Sequence, residues 1–131
     1  MTATRSKRPR RERSDVETAV AALLEGHPTE LRERFAAARR AVRSVVPTVT
    51  ERVRRGWGLL GFDAPKYFAY VSINGGIVRL GFEYGAMLAD PHGHLRGEGT
   101  QVRWVEVSHE TLMKPSLEAL IEQAWELSLR R

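Results

Sequence analysis

The sequence predicts an α+β fold, a mainly antiparallel sheet with helices on one side. Three observations carry this expectation. Helical and strand-like patterns are segregated along the chain, in the order helix, helix, several strands, helix, and do not alternate as βαβ units do. Two apolar segments flank Asn74-Gly75, a preferred pair for a tight hairpin turn because both turn residues need positive φ. The length of 131 residues, 42% of them hydrophobic, suits one domain with an ordinary core.

The first element is expected at Ser14. Residues 1–13 hold almost no apolar side chains and read as a disordered basic tail, with the folded domain at 14–131. Ser14 and Glu17 have the spacing of a capping box, and Val16, Val20, Leu23 and Leu24 follow at helical steps until Gly26. A second helix spans about Pro28 to Val46. Leu31, Phe35, Ala38, Val42 and Val45 form its buried face, and Arg32, Arg39 and Arg43 form a stripe beside it. Strand character begins near Val49, on alternating Val49, Glu51, Val53, Arg55 and Trp57, interrupted by Gly56, Gly58 and Gly61, which make the strand short or bulged.

The hairpin pairs Tyr67–Ile73 with Gly76–Phe82. With Asn74-Gly75 as the loop, Ile73 faces Gly76, Val71 faces Val78, Ala69 faces Leu80 and Tyr67 faces Phe82, an apolar face. The opposite face carries Phe68, Tyr70, Ser72, Ile77, Arg79 and Gly81. Residues 83–101 form a turn-rich connection punctuated by Gly85, Asp90-Pro91, Gly93, Gly97 and Gly99. Val102–Val107 is a further strand. After Pro115, Leu117, Leu120, Ile121, Ala124 and Leu127 mark a closing amphipathic helix, with Trp125 near its apolar face.

Composition excludes several classes of function. The chain has no cysteine, hence no disulfide, thiolate metal site or cysteine nucleophile. No apolar run reaches the roughly 18 residues of a membrane helix, and no apolar segment follows the N-terminal charges as in a secretory signal. A cytoplasmic protein with no membrane partner is expected. The net charge of +5 resides in the tail, where Arg5, Lys7, Arg8, Arg10, Arg11 and Arg13 oppose Glu12; the remaining charges balance.

The stretch Gly81-Phe-Glu-Tyr-Gly85-Ala-Met-Leu-Ala-Asp90-Pro-His-Gly93-His-Leu-Arg-Gly97-Glu-Gly99, followed by Val102-Arg103-Trp104-Val105, resembles the YdhG-like proteins, the family of domain of unknown function 1801. The resemblance runs from about Val16 to Leu127 and implies a YdhG-like fold similar to frataxin, with iron as the implied metal because some relatives are described as iron chaperones. Trp104 stands where that family often has histidine, Gln101 where a basic residue is common, and Leu60 where many members have proline.

Three binding constellations follow. Carboxylate and imidazole suit iron. Glu118, Glu122 and Glu126 form an i, i+4, i+8 row, and Asp90, His92 and His94 offer three donors within five residues. The plain alternatives are a solvated helix face and a turn. Arg8, Arg10, Arg11 and Arg13 suit non-specific contact with nucleic-acid phosphates, with a solubilising tail as the alternative. Phe68, Tyr70, Ile77, Arg79 and Trp104 would form an outer sheet surface for a protein partner or a homodimer, unless other chain covers it. Trp57, set among glycines, either lines a pocket or packs on a helix. An enzyme is not expected. Gly-x-Ser-x-Gly and His-Glu-x-x-His motifs are lacking, and Gly97-Glu-Gly99 is too short for a dinucleotide or P-loop signature. The reading from sequence is therefore a non-enzymatic binding domain, with metal handling first and partner or nucleic-acid binding second.

Overall fold

The computed structural model describes the backbone from Arg10 to Arg131 and side chains from Asp15 onward. Arg8 lies outside the described residues, as do the side chains of Arg10, Arg11 and Arg13. The helices are α1 (Arg10–Leu24), α2 (Thr29–Val45), the single turn α3 (His109–Leu112) and α4 (Pro115–Leu129). The strands are β1 (Thr50–Arg54), β2 (Leu59–Asp63), β3 (Tyr67–Asn74), β4 (Ile77–Phe82) and β5 (Arg103–Val107). They form one sheet in the order β1-β2-β3-β4-β5, antiparallel at every pairing. This is the expected α+β fold. Among the described residues no helix is long and apolar enough to cross a membrane.

Helix α1 begins four residues before the expected start and runs through Ser14, because Arg10-Arg11-Glu12-Arg13 are good helix formers that continue it toward the N-terminus. A capping box does occur at α3, where the Ser108 side chain accepts from the Thr111 N–H and the Thr111 hydroxyl accepts from the Ser108 N–H. The periodicity of α2 is realised, with Leu31, Phe35, Ala38 and Val42 buried. They meet the inner face of the sheet, formed by Leu60, Phe62, Ala69, Val71, Val78, Leu80, Phe82, Val105 and Val107. Helix α4 adds Leu117, Leu120, Ile121 and Ala124 to the same core.

Three features of the sheet depart from expectation. First, the glycines after β1 do not bulge one strand but divide two. Arg55–Trp57 makes a 3-10 turn, Gly58 adopts φ +63, and β2 returns antiparallel to β1. Second, the hairpin loop is Gly75-Gly76, with φ of +57 and +78, and Asn74 stays in β3 opposite Ile77. Two glycines meet the two positive φ values with no Cβ penalty. Moving the loop by one residue changes each pairing partner by two, so Ile73 faces Val78 and Val71 faces Leu80 while every residue keeps its face.

The third departure reverses two side chains. A β-bulge lies where Phe62 pairs with Ala69 but Asp63 pairs with Tyr67, so Phe68 is the extra residue. Beyond the bulge the two-residue alternation is reset. Phe68, expected on the outer face, is 1% exposed within the core. Tyr67, expected in the core opposite Phe82, lies against Gly61 on the outer face.

Candidate binding surface

The outer face of the sheet is built on two glycines in strand interiors. Gly61 in β2 pairs with Tyr70, which pairs in turn with Gly81 in β4. A Cβ at Gly81 would sit 2.1 Å from the Tyr70 ring, and one at Gly61 would sit 3.0 Å from the Tyr67 ring. Both tyrosines therefore lie down on bare backbone, a close approach that only glycine permits.

Arginines fill in around the rings. The Arg54 guanidinium lies 4.8 Å from the Tyr67 ring centre and 5.7 Å from that of Trp57; Arg79 lies 4.1 Å above Trp104. These are cation–π distances. Trp104 is opposite Gly81, and Glu106 is opposite Arg79. A layer of rings and guanidinium groups thus runs across all five strands, roughly 19 Å at the usual spacing of about 4.8 Å. Leu59 and Ser72 are buried beneath it, and Leu59 is separate from the main core. Among the described residues the Nε atoms of Arg54 and Arg79 are buried with no hydrogen-bond partner, as is Asp63 Oδ1. Trp57 remains 69% exposed.

Burial holds both phenols above the usual tyrosine range. For Tyr67 burial acts first and the Glu83 charge adds to it, partly opposed by Arg54. For Tyr70 burial is again first, opposed by Arg79. A raised native pKa means that the unfolded chain releases its phenolic protons first as pH rises. Stability from this source is intact below about pH 10 and falls above it. Urea midpoints from about pH 9 to about pH 11 are expected to fall less steeply for Tyr67→Phe/Tyr70→Phe than for wild type. Parallel curves would show that these two phenols contribute nothing to the alkaline loss.

The residues expected on this face are therefore partly regrouped. Tyr70, Ile77, Arg79 and Trp104 are there. Phe68 is not, and Tyr67 and Arg54 join. Trp57 is largely exposed at the end of the 3-10 turn, beside Arg54. The alternation that would place Arg54 on this face was concealed by the glycines after it.

The proposed metal ligands are not brought together. Both Asp90 carboxylate oxygens accept backbone N–H groups, from His94 and Leu95, at 2.9 Å. His94 Nε2 is 2.9 Å from Ser116 Oγ, and His92 stacks on His94 at 5.8 Å. Glu118, Glu122 and Glu126 are exposed on α4. Among the described residues no group of three or more His, Asp or Glu could hold a metal ion. Asp90 shapes a turn, and helical i, i+4 spacing spreads the glutamates along the axis of an exposed face. His92, His94 and Ser116 instead border a small cleft of about 210 Å³ with Pro91 and Leu120. A histidine beside a hydroxyl is part of a nucleophilic arrangement, but Asp90 engages backbone here, not the imidazole.

The arginine stripe of α2 is also broken. Arg39 turns inward to chelate Glu51, which is 5% exposed on the inner side of β1, and binds Glu17 of α1 as well. It is a structural clamp.

Comparison with protein families decides the kinship. The model of a domain of unknown function, DUF5655, matches residues 20–128, most of the chain. The chain belongs to the DUF5655 family. This overturns the resemblance to the YdhG-like proteins and, with it, the likeness to frataxin. The glycine and Asp-Pro spacing that suggested it has local causes within this DUF5655 member. Gly81 lies beneath Tyr70, Gly85 abuts the Arg103 backbone, Gly93 and Gly97 adopt φ of +68 and +126, and Asp90 caps its own turn. Such requirements recur in unrelated folds. No curated protein matches the chain. No solved structure matches it either.

Proposed function

We propose that this DUF5655 domain is a non-catalytic binding module whose working surface is the outer face of its sheet. The observation that carries the reading is the layer of Trp57, Arg54, Tyr67, Tyr70, Arg79 and Trp104 spread over Gly61 and Gly81. Its construction works against stability. Glycine within a strand costs about 0.5–1 kcal/mol relative to alanine, and an unpartnered buried polar group costs about 1–3 kcal/mol. A β-branched residue at either glycine would suit a strand better. Large aromatic residues and arginine are also the side chains most enriched where binding energy is concentrated. Iron entered through the overturned resemblance and two clusters of possible donors, and among the described residues those donors are not gathered into a metal-holding group.

Site-specific photocrosslinking in cells tests this whatever the partner is. A photoreactive amino acid replaces Tyr70 in one variant and Glu122, on the exposed side of α4, in another. Irradiation is expected to give a discrete adduct from position 70 and none from 122. A clean position 70, in a variant shown to be folded, would remove the outer face as the working surface.

A further inference from the structure

We infer that the slot between the Asp90 turn and α4 is a binding site for a small organic acid, with an apolar body lodged on Leu120 and a carboxylate met by Ser116, His92 and Lys114. None of these residues belongs to the outer sheet face, so this site and that surface stand or fall separately.

The slot is pinned at both ends. At one end the Gln123 amide exchanges two hydrogen bonds with the Ala89 backbone, accepting from its N–H at 3.1 Å and donating to its carbonyl at 3.2 Å. At the other, His94 Nε2 lies 2.9 Å from Ser116 Oγ, and the His92 ring stacks on His94. Asp90 fixes the turn from within, through the N–H groups of His94 and Leu95. These fastenings set the distance between turn and helix. A site with fixed walls pays little ordering entropy when a ligand enters.

Its walls define the body of the ligand. Ala89, Pro91 and Ala119 are apolar sides, and Leu120, only 3% exposed, belongs to the domain core. An apolar cavity of about 150 Å³ is known to hold benzene. The volume of about 210 Å³ here therefore suits one six-membered ring with a small head group. A longer or branched scaffold would have to leave the slot.

The polar groups define the head. Acceptors bordering the slot are already engaged: both Asp90 carboxylate oxygens, Gln123 Oε1, and the carbonyls of Ala89 and Asp90 all accept hydrogen bonds. Groups that can still donate are the Ser116 hydroxyl, the His92 ring and, in the adjoining hollow that shares His92, His94 and Ser116, the Lys114 ammonium. A carboxylate fits this inventory because it only accepts. It also fixes the direction of the His94–Ser116 bond. With His94 Nε2–H donating to Ser116 Oγ, the serine O–H is free to donate to the anion, a charge-assisted contact. The acidic row of α4 does not oppose it. Ser116, Ala119, Leu120 and Gln123 line the slot, and Glu118 and Glu122 are turned about 110–150° from the centre of that face at about 100° per residue.

The test is a titration of the isotope-labelled full chain with benzoate, benzyl alcohol and acetate at fixed pH and salt, read by amide chemical shifts. Benzoate is expected to give saturable shifts centred on His94, Ser116 and Leu120, with a dissociation constant on the order of 1 mM or below. Benzyl alcohol keeps the ring without the charge, and acetate keeps the charge without the ring. Each should bind at least about tenfold more weakly. Ala119→Leu, at an exposed helix position that tolerates leucine, fills the slot and should abolish saturation. Ser116→Ala removes the hydroxyl donor and should weaken benzoate at least about tenfold. The amide spectrum of each variant also verifies its fold. The inference is overturned if benzoate gives no saturable shift at about ten times the expected constant, if benzyl alcohol or acetate binds as tightly, if the shifts centre outside the slot, or if either folded variant binds like wild type.

Discussion

Phe68→Ala is expected to lower the stability of the fold by about 3–5 kcal/mol, the usual cost of removing a fully buried phenylalanine ring. The ring is 1% exposed and belongs to the core between sheet and helices. The neighbouring Tyr67→Ala should cost distinctly less, because that ring is half-exposed and lies over Gly61 on the other side of the sheet. The contrast measures the bulge. In an unbroken strand ending at Tyr67, strict alternation would put Tyr67 in the core and Phe68 outside, and the order of the two effects would reverse. Chemical denaturation of both variants with a shared m-value decides it. If Tyr67→Ala proves the more damaging, the outer face loses a ring and the binding layer is wrongly drawn.

Arg39→Met should be comparably severe, about 3–5 kcal/mol, as expected when one partner of a buried ion pair is removed. Arg39 Nε and Nη2 meet the two Glu51 carboxylate oxygens at 2.7 and 2.8 Å, and Nη1 and Nη2 reach Glu17 at 3.1 and 2.8 Å. One guanidinium thus ties α2 to β1 and to α1. The hydrogen bonds that Arg39 donates to Glu51 are the main cause that raises the arginine pKa further above its ordinary value, so the clamp stays charged at any working pH. Arg39→Lys should recover only part of the loss, since an ammonium cannot form the two-pronged contact. Glu17→Ala should cost no more than about 1 kcal/mol, because Glu17 is largely exposed. Thermal melts of the three variants would check the ranking. An Arg39→Met protein as stable as wild type would mean that the pair contributes no net stability and that apolar packing replaces it fully.

Much of the fold was legible in local pattern. The faces of α2 and α4 follow from helical spacing, and the inner faces of β3 from Ala69 onward, β4 and β5 follow from alternation, because burial against a core imposes a period on the side chains. Even the misplaced turn left those faces intact. Two kinds of information were not local. The bulge at Phe68 exists only in relation to β2, across which two residues oppose one. The division between β1 and β2 depends on a backbone reversal at Gly58 whose purpose, bringing Gly61 beside Tyr67 and Tyr70, appears only once three strands are paired.

The site shows the same division. Tyr70, Arg79 and Trp104 could be assigned to one outer surface from alternation alone. Arg54 and Trp57 could not, since they join it through ring contacts between strands and turn. The metal reading failed for a related reason. Donors close in sequence at Asp90, His92 and His94 face hydrogen-bond and stacking partners, not a shared centre, and direction is set by the turn that Asp90 itself builds.

By itself, then, the sequence determined the α+β class, the helix and strand periods, and the concentration of net charge ahead of the core, all properties that neighbouring residues settle among themselves. Tertiary structure alone decided which rings lie over which glycines, which arginine is a clamp and which belongs to the outer layer. Those outcomes depend on contacts between strands and helices distant in sequence, where one inserted residue at a bulge is enough to exchange the inside of the sheet for the outside.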